Sequence, residues 1–178
     1  MSNQAIARRY ARALFEIARE KKLLDEFVAN LEQIGKAIAE EDELRRVLYH
    51  QLIPIREKQK IVEAIFPDFN DLLKNFLNMT IAKGREKAIP EIVTEFRQLV
   101  DKENNILPVD VFSAVPLTDE VKAALKERLQ AVTKQNIRLN NLVNPEILGG
   151  IIIRLGDRVL DASLKKKLEL LALRLKKA

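Results

Sequence analysis

The sequence predicts a mainly α protein: an N-terminal six-helix bundle followed by a small α+β domain with a short sheet and a C-terminal helix. Three observations carry this. Apolar residues recur at three- and four-residue spacing from Asn3 to about Glu103. The β-branched runs and three of the five glycines gather between Ile137 and Ser163. Asn104-Asn105 breaks the pattern between the two, which sets the expected domains at residues 1–105 and 106–178.

In the first helix, expected from Asn3 to about Lys22, one stripe is Ile6, Tyr10, Ala13, Leu14 and Ile17, with Ala7, Ala11, Phe15 and Ala18 beside it. Leu24, Phe27, Val28, Leu31, Ile34 and Ile38 mark the second. It ends near Glu40-Glu41-Asp42-Glu43, acids that suit the positive end of a short third helix holding Leu44, Val47 and Leu48. Pro54 fits the first turn of a fourth helix, where its missing N–H would have no partner in any case, and Pro67 stops it. Asp68 is the expected cap of the fifth, which runs through Phe69, Leu72, Leu73, Phe76, Leu77, Met79, Thr80 and Ile81 to Gly84. The sixth, about Arg85 to Glu103, carries Ile89, Ile92, Val93, Phe96, Leu99 and Val100.

Past the break, Leu107, Val109, Val111, Ala114 and Val115 read as a strand whose prolines, Pro108 and Pro116, push its ends to edge positions. Thr118 caps a helix through Val121, Leu125, Leu129 and Val132. Two more strands follow, around Ile137 to Val143 and from Ile151. Gly156-Asp157 then makes a two-residue hairpin loop, so that Ile151–Leu155 pairs with Arg158–Ala162. Gly149-Gly150 marks a bulge or a close backbone approach. The last helix, about Ser163 to Lys177, sets Leu164, Leu168, Leu171 and Leu175 on one seam and leaves Leu170 and Leu173 off it.

Composition narrows the function. A chain of 178 residues, 47% apolar and 32% charged, has the make-up of a soluble globular protein. No apolar run approaches the ~20 residues that span a bilayer, and the N-terminus lacks a secretory pattern, so direct membrane insertion is not expected. Without cysteine there is no disulfide or thiolate metal site, and the single histidine, His50, reads as a surface residue at a helix end. Asp157, Asp161 and Ser163 lie close in sequence with no histidine near to act as base. Gly149, Gly150 and Gly156 lack the spacing and the Lys-Ser/Thr ending of a phosphate loop. No catalytic residue, cofactor, metal or small-molecule substrate is therefore expected.

Lys and Arg balance Asp and Glu over residues 1–105, 18 against 18, while residues 106–178 hold 13 against 8, so the whole net charge of +5 falls in the second part. Such a bias suits a nucleic acid, an anionic lipid or an acidic protein surface. A basic nucleic-acid-binding adaptor is the alternative reading. Against it, leucines interrupt the basic run Lys165-Lys166-Lys167, Arg174, Lys176 and Lys177, and no aromatic residue stands near to stack bases. The first and fifth helices are apolar almost all round. They must either be central in the bundle or line a groove left for another chain.

The residues Ile137, Leu139, Val143, Asn144, Ile147, Gly149, Gly150, Ile151, Ile153, Arg154 and Gly156, with Arg9-Tyr10-Ala11-Arg12-Ala13-Leu14-Phe15 near the start, resemble the signature stretches of the delta subunit of F-type ATP synthases. In mitochondria that family is the oligomycin-sensitivity-conferring protein. The resemblance implies a non-catalytic stator of proton-driven ATP synthesis, peripheral on the cytoplasmic face of a bacterial membrane or the stromal face of a thylakoid. It implies that the N-terminal helix of an alpha subunit lies between the first and fifth helices, against Ile6, Tyr10, Ala13, Leu14, Phe76, Met79, Thr80 and Lys83. It also implies that the second domain holds the stalk subunit b, for which Leu170, Leu173 and Arg174 are the candidate contacts, and that nucleic acid is not a partner.

Overall fold

The structure is a computed structural model that describes residues 3–156 and 158–168. Its elements are α1 (Asn3–Glu20), α2 (Leu24–Glu40), α3 (Asp42–Tyr49), α4 (Ile55–Ile65), α5 (Asp71–Ala82), a 3-10 turn at Glu86–Ala88, α6 (Ile89–Glu103), β1 (Ile106–Ser113), α7 (Asp119–Thr133), β2 (Asn136–Val143), a second 3-10 turn at Pro145–Ile147, β3 (Ile151–Leu155) and β4 (Arg158–Asp161). Residues 164–168 are again helical. The fold class is the expected one, helices followed by a small α+β arrangement, and the chain forms two compact units, Met1–Val100 and Asp101–Ala178.

In the first unit the helix ends follow local chemistry. Glu41 precedes α3, and Asp42 and Glu43 fill its first turn, where carboxylates meet the positive end of the helix dipole. The cap of α5 is Asn70 rather than Asp68: its side chain accepts a hydrogen bond from the Leu72 N–H at 3.0 Å. Phe69 stacks on Phe66 with ring centroids 4.7 Å apart, so the chain makes one further turn after Asp68 before the helix can begin. At the other end Gly84 adopts a left-handed φ of +63°. The Arg85 N–H then reaches Thr80 O at 3.0 Å and the Gly84 N–H reaches Ile81 O at 2.9 Å, the paired bonds that close a helix on a left-handed residue.

Phe27, Leu14, Leu31, Leu48, Leu73, Leu77, Ile81, Ile92 and Phe96 are sealed in the centre of this bundle. Each such side chain contributes about 1.5–3 kcal/mol when removed from water. One ion pair is buried with them. Lys58 on α4 meets Glu86 in the 3-10 turn, Nζ to Oε1 at 2.5 Å, with both residues almost fully enclosed. Glu86 Oε2 is buried without a hydrogen-bond partner among the described residues, so the carboxylate depends on Lys58 for compensation.

In the second unit the strand order is β2-β1-β3-β4. β1 runs parallel to β2 from Ile106↔Asn136 to Ser113↔Val143, with α7 as the crossover, while β1–β3 and β3–β4 are antiparallel. Thr118 caps α7 as expected, accepting from the Val121 N–H. Alternation places Val109, Val111, Ile137 and Ile153 on one face, where Leu129 of α7 packs on them. Asn141 binds three neighbours at once, donating to Val111 O and Ser113 Oγ and accepting from the Leu117 N–H at 2.9 Å. Arg138 of β2 grips Asp101 with both guanidinium nitrogens, and this helps to explain why the unit begins at residue 101, inside the last turn of α6.

β1 is a central strand and ends at Ser113, short of the expected Val115. Pro108 is nonetheless accommodated. β3 pairs with β1 only over Val109–Ser113, so residues 106–108 have a neighbour on one side alone and the missing N–H breaks no bond to β3. The hairpin has the expected loop: Leu155 pairs with Arg158, and Gly156 supplies a φ of +56°.

Gly150 lies closely against the backbone of residues 162 and 163. Its φ is +78°, and a methyl group there would stand 2.5 Å from Ala162 O and 3.1 Å from Ser163 Cα, both backbone atoms. Gly150→Ala is expected to lower the stability of this unit by at least about 1 kcal/mol, measured as a lower urea midpoint; an unchanged midpoint would refute the close approach. In the first unit, Lys58→Met strands the Glu86 carboxylate and is expected to cost about 3 kcal/mol. Adding Glu86→Leu should restore most of that loss, and a single variant as stable as the parent would show that the pair is not buried.

Candidate partner-binding groove

The first helix can lie deep in the bundle because its central stripe is small. Ala7, Ala11 and Ala18 are wholly buried, and Leu14 and Phe15 fill the space between them. On one flank α1 turns to α6: Arg8 Nε meets Glu95 at 3.3 Å and the Phe15 ring stands edge-on to Phe96. Ile6, Tyr10, Ala13 and Ile17, at steps of four, three and four residues, form the opposite flank. Ile6 is enclosed, Tyr10 is half-buried, and Ala13 and Ile17 are exposed.

The fifth helix divides in the same way. Leu73, Leu77, Thr80 and Ile81 face the core, while Leu72, Phe76, Met79 and Lys83 repeat the four-three-four spacing along one edge. Phe76 is enclosed, and Leu72, Met79 and Lys83 are exposed, Met79 by 47%. The edge of α5 and the flank of α1 face each other, because the Tyr10 and Phe76 rings meet edge to face at 6.1 Å. Ile6 and Phe76 are thus enclosed and Tyr10 is half-buried where the two helices meet, and Ala13 and Ile17 on α1 and Leu72, Met79 and Lys83 on α5 are left exposed.

Two of the eight residues expected in this site lie elsewhere. Leu14 is 1% exposed and belongs to the bundle core. Thr80 is fully buried and donates its hydroxyl to Phe76 O at 2.8 Å within its own helix. The i, i+3, i+4, i+7 reading of α5 spans both edge and core, and Thr80 falls on the core side of it. Ile17 and Leu72 were not among the expected contacts, although the four-three-four spacing along each helix was present in the sequence to find them. Each of α1 and α5 is therefore central in the bundle and keeps one partly apolar edge exposed.

In the second unit, Gly149, Gly150 and Gly156 are structural. Gly149 O accepts from the Leu164 N–H at 2.9 Å, fastening the start of the last helical stretch to the sheet. Ser163 caps that stretch as expected, its Oγ accepting from the Lys166 N–H at 3.1 Å while its own N–H donates to Asp161 at 2.9 Å. These bonds commit Ser163 to the backbone. Hydrogen bonds from the Ser163 side chain, then from its backbone, hold the Asp161 carboxyl below its ordinary pKa. Leu164 and Leu168, one turn apart, are both about half exposed. Leu170, Leu173 and Arg174 lie outside the described residues, as does Asp157.

A helical bundle followed by a β-α-β-β-β sheet unit defines a protein built of two small units. The chain belongs to the ATP synthase delta (OSCP) subunit family, whose model matches residues 6–175. It is 61% identical to the ATP synthase subunit delta of Moorella thermoacetica over the full length of both chains. It is 36% identical to that of Carboxydothermus hydrogenoformans over 168 residues, 94% of this chain and 95% of the relative. Its fold is similar to a chain in the mitochondrial ATP synthase hexamer of Toxoplasma gondii, with a TM-score of 0.73 over 95% of this chain and 96% of that one at 19% identity. Members of this family are structural, non-catalytic subunits of the ATP synthase.

Because the native Asp161 carboxyl titrates below its unfolded value, its stabilising bonds are intact at neutral pH and are lost as the pH falls through the native pKa. Ser163→Ala is expected to move the Asp161 titration, followed by carboxyl NMR, up toward the ordinary carboxylate range. A titration that stays put would mean that the Ser163 side chain is not the cause.

Proposed function

We propose that this chain is the connector between the catalytic head and the peripheral stalk of an ATP synthase, holding the head still against rotor torque during proton-driven ATP synthesis. In this reading the groove between α1 and α5 takes the N-terminal helix of an alpha subunit. The observation that carries it is the pair of apolar edges, Ala13 and Ile17 on α1 and Leu72 and Met79 on α5, left exposed beside the half-buried Tyr10 and its contact to Phe76. Two apolar edges at helical spacing beside an aromatic contact are the geometry that accepts an amphipathic helix. A largely apolar contact also suits a stator, since its strength does not fall with salt as that of exposed ion pairs does.

Residues 106–178 are proposed to hold subunit b through the end of the chain, including Leu170, Leu173 and Arg174. The positive balance of that part and the exposed Leu164 and Leu168 at the start of its last helical stretch support an acidic amphipathic partner. The protein would then sit on the cytoplasmic face of the membrane through its partners. In keeping with that, no helix among the described residues is long and apolar enough to cross a membrane.

Calorimetric titration of an alpha N-terminal peptide into the full chain tests the groove. Ile17→Asp and Met79→Asp, both at exposed positions, are expected to weaken binding by about 1–3 kcal/mol each, with the helical circular dichroism unchanged. Parent-like affinity in both variants would remove the groove from the interface.

A further inference from the structure

The groove has unlike ends. The outer lip of α1 reads Arg9, Ala13, Glu16 and Glu20, again at four-three-four spacing and all exposed, so it is basic at the start of the helix and acidic at its end. Lys83 closes the exposed edge of α5. Arg9, Lys83 and Glu20 have no ion-pair partner among the described residues, and Glu16 has only an exposed contact to Arg12 at 3.7 Å.

Which charges share an end depends on the relative sense of α1 and α5. Gln4 borders one cavity with Pro90, Glu91, Thr94, Glu95 and Gln98, and Arg8 pairs with Glu95, so the start of α1 lies beside the first three turns of α6. The start of α6 is joined to the end of α5 by the tight turn at Gly84 and the 3-10 turn Glu86–Ala88, which packs against α1. The two groove helices are therefore antiparallel. Arg9 and Lys83 stand at one end, and Glu16 and Glu20 stand at the other.

We infer that this polarity makes the groove accept its helix in one sense only, with the last turn of the incoming helix over Arg9 and Lys83 and its first turn over Glu16 and Glu20. The last carbonyls of a helix are unsatisfied acceptors at the negative end of its dipole, and Lys and Arg side chains donate to them. The first N–H groups are unsatisfied donors at the positive end, which carboxylates complement. An incoming helix so placed runs parallel to α5 and antiparallel to α1. The apolar walls have no such asymmetry: they set how tightly the helix is held, and the charged ends set its direction. This rests on the groove being the site of the alpha N-terminal helix.

The absence of cysteine from the chain allows a clean test on the full-length protein. A peptide of the alpha subunit's N-terminal segment carries a nitroxide on a cysteine at one terminus or the other, and amide signals of the ¹⁵N-labelled protein report which end lies where. The expected result is selective broadening of Gly84 and Arg85 by the C-terminal label and of Lys21 by the N-terminal label. The opposite pattern, or equal broadening of both ends by both labels, overturns the inference while leaving the groove as the binding site. A peptide that perturbs neither end overturns the groove reading and this inference with it. In parallel, the double variant Arg9→Glu with Lys83→Glu is expected to bind the unlabelled peptide about fivefold more weakly at low salt, with the difference shrinking as salt rises. Equal affinity at low salt would contradict a role for these cations.

Discussion

A helix at the centre of a bundle yields most of its circumference to its neighbours, and α1 can do so because Ala7, Ala11 and Ala18 put no bulk between it and them. That close packing decides what remains outside. With the alanine stripe and Leu14 inward, and with Arg8 and Phe15 turned to α6, the flank left over is Ile6, Tyr10, Ala13 and Ile17. Tyr10 then meets Phe76 and fixes which edge of α5 lies opposite. The groove is a consequence of core packing, in that no residue need be spent on opening it. A larger side chain at Ala7 or Ala11 would push α1 outward and disturb core and groove together.

The two units are built on different constraints, and this bears on how each could serve a connector. The bundle buries a large set of aromatic and aliphatic side chains and one enclosed ion pair, so its surface edges sit on a rigid base. Among the described residues the second unit encloses Val109, Val111, Leu129, Ile137 and Ile153 as its core cluster, supplemented by a polar clip at Asn141 and the two-pronged grip of Arg138 on Asp101. Leu148, Leu160, Leu164 and Leu168 stay substantially exposed there. Covering those leucines with a partner removes apolar surface from water and is favourable.

Much of the fold was legible because its signals are local. Helical spacing located six helices, Gly84 and Gly156 marked the turns that need a left-handed φ, and Thr118 and Ser163 announced their caps through a single side-chain bond each. Where the sequence reading missed, the deciding contact was not local. Asp68 lost the cap of α5 to Asn70 because Phe66 and Phe69 stack and carry the chain through another turn. The first strand ended at Ser113 rather than Val115, while its start, paired with β2 alone, is the edge position that Pro108 requires. At the groove, apolar character alone could not separate Leu14 and Thr80, which face the core, from Ile17 and Leu72, which do not. That needed the direction from which the neighbouring helices approach.

The most direct test of the groove is a chemical-shift map of the full chain, ¹⁵N-labelled, during titration with an alpha N-terminal peptide. Shifts concentrated at Tyr10, Ala13 and Ile17 on α1 and at Leu72, Phe76, Met79 and Lys83 on α5 are the predicted result. Shifts that instead cluster on the Arg8 and Glu95 flank of α1, or that fall only within residues 101–168, would place the partner elsewhere and contradict it.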